Sequence, residues 1–338
     1  MKATAVPMTL ELKHPFKIAR GEVWTSETCV RMSIAHEGVT GFGEARPSEY
    51  YFGETIESVL EVVQRAEGLL GKDPFLLEDV IDALRSSFPD APSAVAGLDI
   101  ALHDLAGKLL GVPLYRFFGL NPLGTPRTSY TLGIDTLDVM LEKLEEAREY
   151  PILKVKVGFD GDLEMLRAIR DHTDAVIRVD ANTGWGVDEA IERINEMAQC
   201  RIELVEQPIR PRNYDGLRKI RENIDVPLVA DEDAMTSADL PALAGCVDAV
   251  NIKLMKCGGL REALRMIHVA GALGMKAMLG CMVESSLALT AAAHLSPLTE
   301  YADLDMNLLL TNDPFDGLKV RHGKIVLPDR PGVGALAR

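Results

Sequence analysis

The stretch ILKVKVG at positions 152–158 joins β-branched Ile152, Val155 and Val157 to a closing glycine and reads as a β-strand. Residues two apart share a face of a strand, so Lys154 and Lys156 point one way while Leu153, Val155 and Val157 point the other. The simplest explanation of two ammonium groups on one face is an edge strand, where lysines discourage pairing with another chain. The alternative is a strand that aims both charges at one place. The neighbouring segments decide between them.

Short apolar segments alternate with amphipathic helical patterns on both sides of this stretch. Strands are expected at 128–132, 152–157, 175–180, 202–206, 228–231, 249–254, 276–280 and 302–306, with a helical pattern between each consecutive pair. Eight such units, with strands too apolar for a one-sided sheet, predict a (β/α)8-type barrel whose chemistry sits at the C-terminal strand ends. The first part of the chain differs. Alternation at 3–12, 28–35 and 40–44 predicts a three-stranded meander, followed by helices at 55–70, 75–85 and 93–110. A turn-rich PLGTP at 122–126 marks the junction. The expected fold class is α/β: an N-terminal α+β capping domain over 1–125, a barrel carrying the catalytic site over 126–314, and a C-terminal segment over 315–338. In that last segment GLKVRHGKIVL is expected as a hairpin returning over the first domain.

A chain of 338 residues is long enough for such a pair of domains. Its 36 Lys+Arg against 51 Asp+Glu give a formal charge of -15, which repels phosphate backbones and anionic headgroups. Small solutes are the expected partners, with no nucleic acid and no membrane. The five cysteines (Cys29, Cys200, Cys246, Cys257, Cys281) contain no CxxC pair, which argues against a disulfide framework or a thiolate zinc site and suits a reducing cytoplasm. No apolar run approaches the ~20 residues of a membrane span. A soluble, unprocessed cytoplasmic protein that self-associates as a homo-oligomer is expected.

The strand ends carry Lys154, Lys156, Asp180, Glu206, Asp231, Lys253, Asp303 and Asp305. From Lys156 to Lys253 the charges stand 22 to 26 residues apart, one βα unit each, so they recur with the architecture. A single carboxylate at such a position most simply caps the following helix. Three on consecutive strands converge above the barrel mouth and repel one another unless a cation holds them. Oxygen ligands without nearby His or Cys select a hard ion such as Mg²⁺. Mutual repulsion and that cation favour the neutral amine of the lysines, and a neutral lysine is a general base. Lys253, on the sixth strand, lies across the barrel from the second, so a substrate held on the metal has a lysine on each face. Mg²⁺ binding both oxygens of a carboxylate stabilises the enolate formed when the adjacent carbon loses its proton. Return of a proton from the opposite face inverts that carbon.

The ordered set LKVKVG, VDANTGW, ELVEQP, VADED and NIKLMKCGG, read with the N-terminal GFGEARP, resembles the enolase superfamily, specifically its muconate-lactonizing-enzyme subgroup, over essentially the whole chain. The resemblance implies Asp180, Glu206 and Asp231 as ligands of one Mg²⁺ per subunit and Lys156 and Lys253 as opposed acid/base residues. It implies Lys154 as an electrostatic helper near the substrate carboxylate, with Asn182 and Glu232 supporting the ligands from behind. The mandelate-racemase branch expects a histidine near the end of the seventh strand, where this chain has Leu279-Gly280-Cys281-Met282. Asp303 and Asp305 are expected as an i, i+2 pair on one face of the eighth strand and resemble the Asp-x-Asp that dipeptide epimerases use for the substrate's α-ammonium group. Paired acids facing a metal-bound carboxylate measure out a zwitterion. By the same resemblance, Thr131 and the backbone around Cys281, Met282 and Val283 line the peptide portion.

The implied activity is that of an isomerase: a Mg²⁺-dependent dipeptide epimerase inverting the Cα of the C-terminal residue by two-lysine 1,1-proton transfer through an enolate. N-acylamino-acid racemase, o-succinylbenzoate synthase and muconate cycloisomerase share the machinery but have no substrate ammonium for Asp303 and Asp305. A catalytically silent metal-binding scaffold is the rival from another class. Segments 18–28 and 48–55 are expected to close over the site. There Arg20 suits an acidic side chain, Glu22 and Glu49 a cationic one, and Trp24, Tyr50, Tyr51 and Phe52 an apolar one. Gly258-Gly259 is expected to serve close packing rather than to cradle a phosphate. His103 and His294 are expected in the core, Trp185 as a loop anchor, and Cys281, without an adjacent His, as no nucleophile.

Overall fold

Two sheets organise the chain, and the computed structural model describes every residue except Glu22, one of the residues weighed for specificity, which lies outside the described residues. β1 (Lys2–Lys17), β2 (Val23–His36) and β3 (Val39–Ala45) form an antiparallel meander. β4 (Tyr130–Leu132), β5 (Ile152–Lys156), β6 (Val176–Asp180), β7 (Ile202–Glu206), β8 (Leu228–Ala230), β9 (Ala249–Ile252), β10 (Lys276–Gly280) and β11 (Tyr301–Asp303) are parallel and follow one another in chain order. Thr128 bridges to Ala302, and the Ser129 N–H donates to the Ala302 carbonyl at 3.3 Å, so first and last strands meet and the barrel is nearly closed. β5 therefore has a strand on each side. The edge explanation of its lysines falls away.

Leu153 and Val155 face the surrounding helices as part of one large apolar core, while Lys154 and Lys156 face inward. Below the lysines the barrel interior is filled by Leu204, Val229, Ala249, Met278 and Tyr301, with the Arg178 guanidinium over the Tyr301 ring. The rows of inward side chains are set by register: Lys156 pairs with Asp180 and Asp180 with Glu206. The last match depends on an irregularity. Ile177 pairs with Ile202 but Arg178 with Leu204, so Glu203 is an extra residue in β7. If the same sequence paired without this bulge, Val205 would stand level with Asp180, and the carboxylate of Glu206 would be out of step.

The structure corrects three expectations. The eighth strand ends at Asp303, and Asp305 lies beyond it at the N-terminus of the short helix Met306–Leu309, so the two acids are not an i, i+2 pair on one strand face. Between β8 and β9 the α-helix is only Leu240–Leu243, where Pro241 and the turn at Gly245 leave little room for a longer one. The C-terminal hairpin, Lys319–Arg321 with Lys324–Val326, packs beside the start of β4 through Thr128 N–H to Gly323 O at 2.8 Å. The hairpin reaches the first domain at that domain's last residue, where the Thr125 hydroxyl donates to Ile325 O at 3.0 Å; further contact comes later, where Leu114 N–H donates to Gly332 O and Val333 N–H to Asp104 Oδ1.

The cap is held close by missing side chains. A Cβ at Gly43 would stand 1.9 Å from the Gly97 carbonyl oxygen and one at Gly41 2.1 Å from that of Ala101, so the helix Pro92–Leu110 lies directly on β3. The Asp99 Oδ2 of that helix accepts from Arg261 N–H at 3.1 Å, and a Cβ at Gly259 would fall 2.0 Å from the same oxygen. Close packing is thus what Gly259 serves. At the end of β3, fully buried Glu44 accepts from the Ser285 N–H at 2.9 Å and from its hydroxyl, tying cap to barrel.

Burial pushes the Glu44 carboxyl up to about 8, against the Ser285 hydrogen bonds that favour its ionised form. A raised acid leaves the folded state holding a proton that the unfolded chain has released. Its contribution is complete below the unfolded value near 4.5 and is lost as pH rises towards about 8. Glu44→Gln should flatten the fall in stability across that window, by up to about 1.4 kcal/mol per pH unit, in urea melts recorded from pH 5 to 8.

Candidate active site

The mouth of the barrel opens into a cavity of about 480 Å³ under the cap. Thr131, Lys154, Lys156, Lys253, Cys281, Met282, Val283, Asp303 and Asp305 all line it. Asp180, Glu206 and Asp231 lie beneath, completely buried, each offering an oxygen within 4.8 Å of the others. Lys154 and Lys253 come from β5 and from the residue after β9, four strand positions apart in a ring of eight, so they face each other.

Charge compensation organises the site. Lys154 Nζ stands 2.6 Å from Asp303 Oδ2, 2.8 Å from Glu206 Oε2 and 3.1 Å from Asp180 Oδ2. Lys156 Nζ donates to Asp180 Oδ2 at 2.7 Å and Lys253 Nζ to Asp231 Oδ2 at 2.8 Å. Burial works against the charged form of Lys154, but Asp303, Glu206 and Asp180 outweigh it and hold the ammonium well above its ordinary range. The same balance, with Asp231 foremost, holds Lys253 protonated. Against the carboxylates alone, both lysines therefore lie on the charged side of the balance. On the acid side, burial and neighbouring Asp180 push Glu206 up to about 7, whereas lysines overcome burial to hold Asp180 and Asp231 low.

The donors fit a hard divalent cation. They are all carboxylate oxygens from three consecutive strands, with no sulfur or imidazole among the described ligating groups. Glu206 Oε2 is buried and accepts no hydrogen bond; only the Lys154 ammonium, 2.8 Å away, offsets its charge, so its lone pairs remain open to a metal ion.

At the other end of the cavity Asp303 Oδ1 accepts from the Ser129 hydroxyl at 2.7 Å, and Asp305 Oδ2 accepts from the Thr131 N–H at 2.6 Å. Burial and the charge of Asp303 push Asp305 up to about 7, while Lys154 overcomes burial and holds Asp303 low. The Met282 N–H is already used, donating to Glu284 Oε1 at 2.8 Å, and Val283 O accepts from the Cys29 thiol.

Several participants escaped the sequence. Lys256, fully buried, donates to Asp231 Oδ1 at 2.5 Å and to its carbonyl, and Asn251 Nδ2 donates to Glu206 Oε1 at 2.7 Å. Both stand inside the quoted NIKLMKCGG, where the lysine three residues after Lys253 was the available signal. Arg20 pairs with Glu232 at 2.6 Å and lies over the Tyr50 ring, and Arg46 pairs with Glu27. Asn182 donates its N–H to Asp180 Oδ1 at 3.0 Å, with φ +41° turning that N–H back onto the strand end. His294 accepts from Tyr115 N–H and holds Val333 O, His103 contacts Asp99, and Trp185 anchors its loop through Asp162.

Comparison with known proteins matches residues 1–119 to the N-terminal domain of the mandelate racemase/muconate lactonizing enzyme family and residues 139–336 to an enolase C-terminal domain-like family. An L-Ala-D/L-Glu epimerase of Bacteroides thetaiotaomicron is 45% identical over 99% of this chain and 88% of its own. A dipeptide epimerase from Enterococcus faecalis, crystallised with Mg and L-Leu-L-Tyr, superposes with TM-score 0.93 at 34% identity over 100% of this chain and 99% of that one. Another from Methylococcus capsulatus, crystallised with Mg and L-Arg-D-Lys, gives TM-score 0.92 at 33% identity over 99% and 100%.

Lys154 is the shared counter-ion of three buried carboxylates. Lys154→Met should lower the stability of the metal-free protein by about 3–5 kcal/mol, because it leaves buried charge uncompensated. Urea unfolding measures it, and excess Mg²⁺ should recover part of the loss.

Proposed function

The chain belongs to the mandelate racemase/muconate lactonizing enzyme family, within the enolase superfamily, and from that premise we propose that it is a Mg²⁺-dependent dipeptide epimerase inverting the Cα of the C-terminal residue. The observation that carries this is one cavity with lysines on opposite walls, three carboxylates beneath and a second acidic pair at the far end. Bound at Asp180, Glu206 and Asp231, Mg²⁺ supplies positive charge to the substrate carboxylate as that group takes up the electron pair from Cα.

The protein's own side chains do the rest. Lys154, deepest of the three lysines in its contacts, adds charge beside the substrate carboxylate. Lys156 and Lys253 exchange protons with Cα from opposite faces, one removing and the other returning. Asp303 and Asp305 receive the substrate ammonium, with Thr131 and the 281–283 backbone beside the peptide unit. The cap excludes water, which strengthens each of these interactions. We assign residues 1–125 to the cap, 126–314 to the catalytic barrel and 315–338 to the returning segment. A homo-oligomer in the cytoplasm completes the reading; no helix among the described residues is long and apolar enough to cross a membrane.

A dipeptide library incubated with Mg²⁺ in D₂O should gain deuterium at the Cα of the C-terminal residue, and reversible chelation should stop it. Lys156→Ala and Lys253→Ala should each abolish epimerisation while retaining exchange of one stereoisomer's proton, since the surviving lysine serves its own face. Epimerisation at the native rate in Lys253→Ala would disprove the two-base mechanism.

Asp303 already holds Lys154, so Asp305 is the cleaner probe of the ammonium site. Asp305→Asn should cost a free dipeptide about 2–5 kcal/mol, roughly a few tens to a few thousandfold in kcat/KM. An N-acetylated dipeptide should be a poor substrate that loses little more in the variant. A native preference for the acetylated compound would favour N-acylamino-acid racemisation instead.

A further inference from the structure

Each carboxylate of the triad has one oxygen held by a group other than the three lysines that line the cavity. Asp180 Oδ1 accepts from the Asn182 N–H, Glu206 Oε1 from Asn251 Nδ2 and Asp231 Oδ1 from Lys256 Nζ. The second oxygens, Asp180 Oδ2, Glu206 Oε2 and Asp231 Oδ2, are the ones that meet the lysines of the cavity. The division is built deliberately into the barrel. Asn251 reaches Glu206 from two strands away because position 280 is glycine, where a Cβ would come 2.4 Å from the Asn251 amide oxygen. Lys256 is wholly buried, and its other contacts are the carbonyls of Asp231 and Asn251, so it is fixed where it stands.

Resting on the metal reading above, we propose that Asn251 and Lys256 are positioning residues that hold Glu206 and Asp231 to single-oxygen ligation and thereby select Mg²⁺ over Ca²⁺. Mg²⁺ requires six ligands in near-ideal octahedral geometry at short distance, which three single oxygens leave room to complete. Ca²⁺ takes six to eight oxygens and gains from carboxylates that bind through both. Locking one oxygen of each acid withholds those extra donors. Lys256 also offsets one negative charge of the triad, and charge alone would act on both ions alike, whereas denticity acts on their ratio.

Titration of Mg²⁺ and Ca²⁺ into the full-length, metal-stripped protein by calorimetry separates the two effects without reference to turnover. The native protein should prefer Mg²⁺. Asn251→Ala, which changes no charge, and Lys256→Met, which removes one, should both shift the ratio of dissociation constants towards Ca²⁺ by about tenfold or more. Asn251→Ala carries the test by itself if Lys256→Met does not fold. An unchanged ratio overturns the inference, whether the separate affinities rise with the added negative charge in Lys256→Met or fall together. Absence of any divalent binding by the native protein overturns the metal reading along with it.

Discussion

The site depends on charges that cannot leave the protein interior. Asp180, Glu206 and Asp231 are fully buried at the strand ends, and one ammonium, Lys154, stands within 3.1 Å of two of them and of Asp303 as well. Isolated ions at such depth would cost several kcal/mol each in lost hydration. Interleaving lysines with carboxylates offsets that cost and orients every member by charge-assisted hydrogen bonds. In the proposed reaction the same arrangement pairs the groups that exchange protons with the groups that hold the cation, Lys156 with Asp180 and Lys253 with Asp231. Occupation of the triad by a metal changes what the lysines face.

Around this centre the protein carries further pairs, each ending on a different part of the scaffold. Lys256 and Asn251 come from the sixth βα unit and hold acids of the fifth and fourth strands. Arg20 reaches down from the cap to Glu232, beside Asp231, and lies over Tyr50. Arg46 and Glu27 pair over the seventh strand end, where Arg46 also approaches the Met282 sulfur. Cap and barrel are thus joined at the rim of the cavity itself. A substrate side chain entering there meets cations that already have acidic partners beside the aromatic surface of Phe16, Trp24, Tyr50 and Tyr51.

The barrel was legible because its strands carry a period that composition cannot hide. The inward face of β5 holds Lys154 and Lys156, its outward face Leu153 and Val155, and seven comparable segments recur with helices between them. Charges at the C-terminal ends of parallel strands share one mouth by topology alone, so Asp180, Glu206, Asp231 and Lys253 could be collected before any contact was known. The resemblance of the ordered motifs then supplied roles that residue types alone left open. The eighth strand was less legible. DLD reads as alternation, yet the Leu304 N–H is taken by the Thr128 hydroxyl at 2.7 Å and the chain turns into a helix two residues later.

By itself, the sequence determined the alternation of strand and helix and the strand end at which Lys154, Lys156, Asp180, Glu206, Asp231 and Lys253 stand, because these follow from local period and spacing. Only the tertiary structure decided which charges touch. That Lys154 holds Asp303, that Lys256 holds Asp231 and that Arg20 holds Glu232 are contacts across 149, 25 and 212 residues of chain. They arise from barrel closure and from the seating of the cap on the barrel, just as the bulge at Glu203 sets Glu206 level with Asp180 and Gly280 admits Asn251. Spacing along one strand says which way a side chain points. What it meets there is set by the register of strands that the chain reaches only after closing around the barrel.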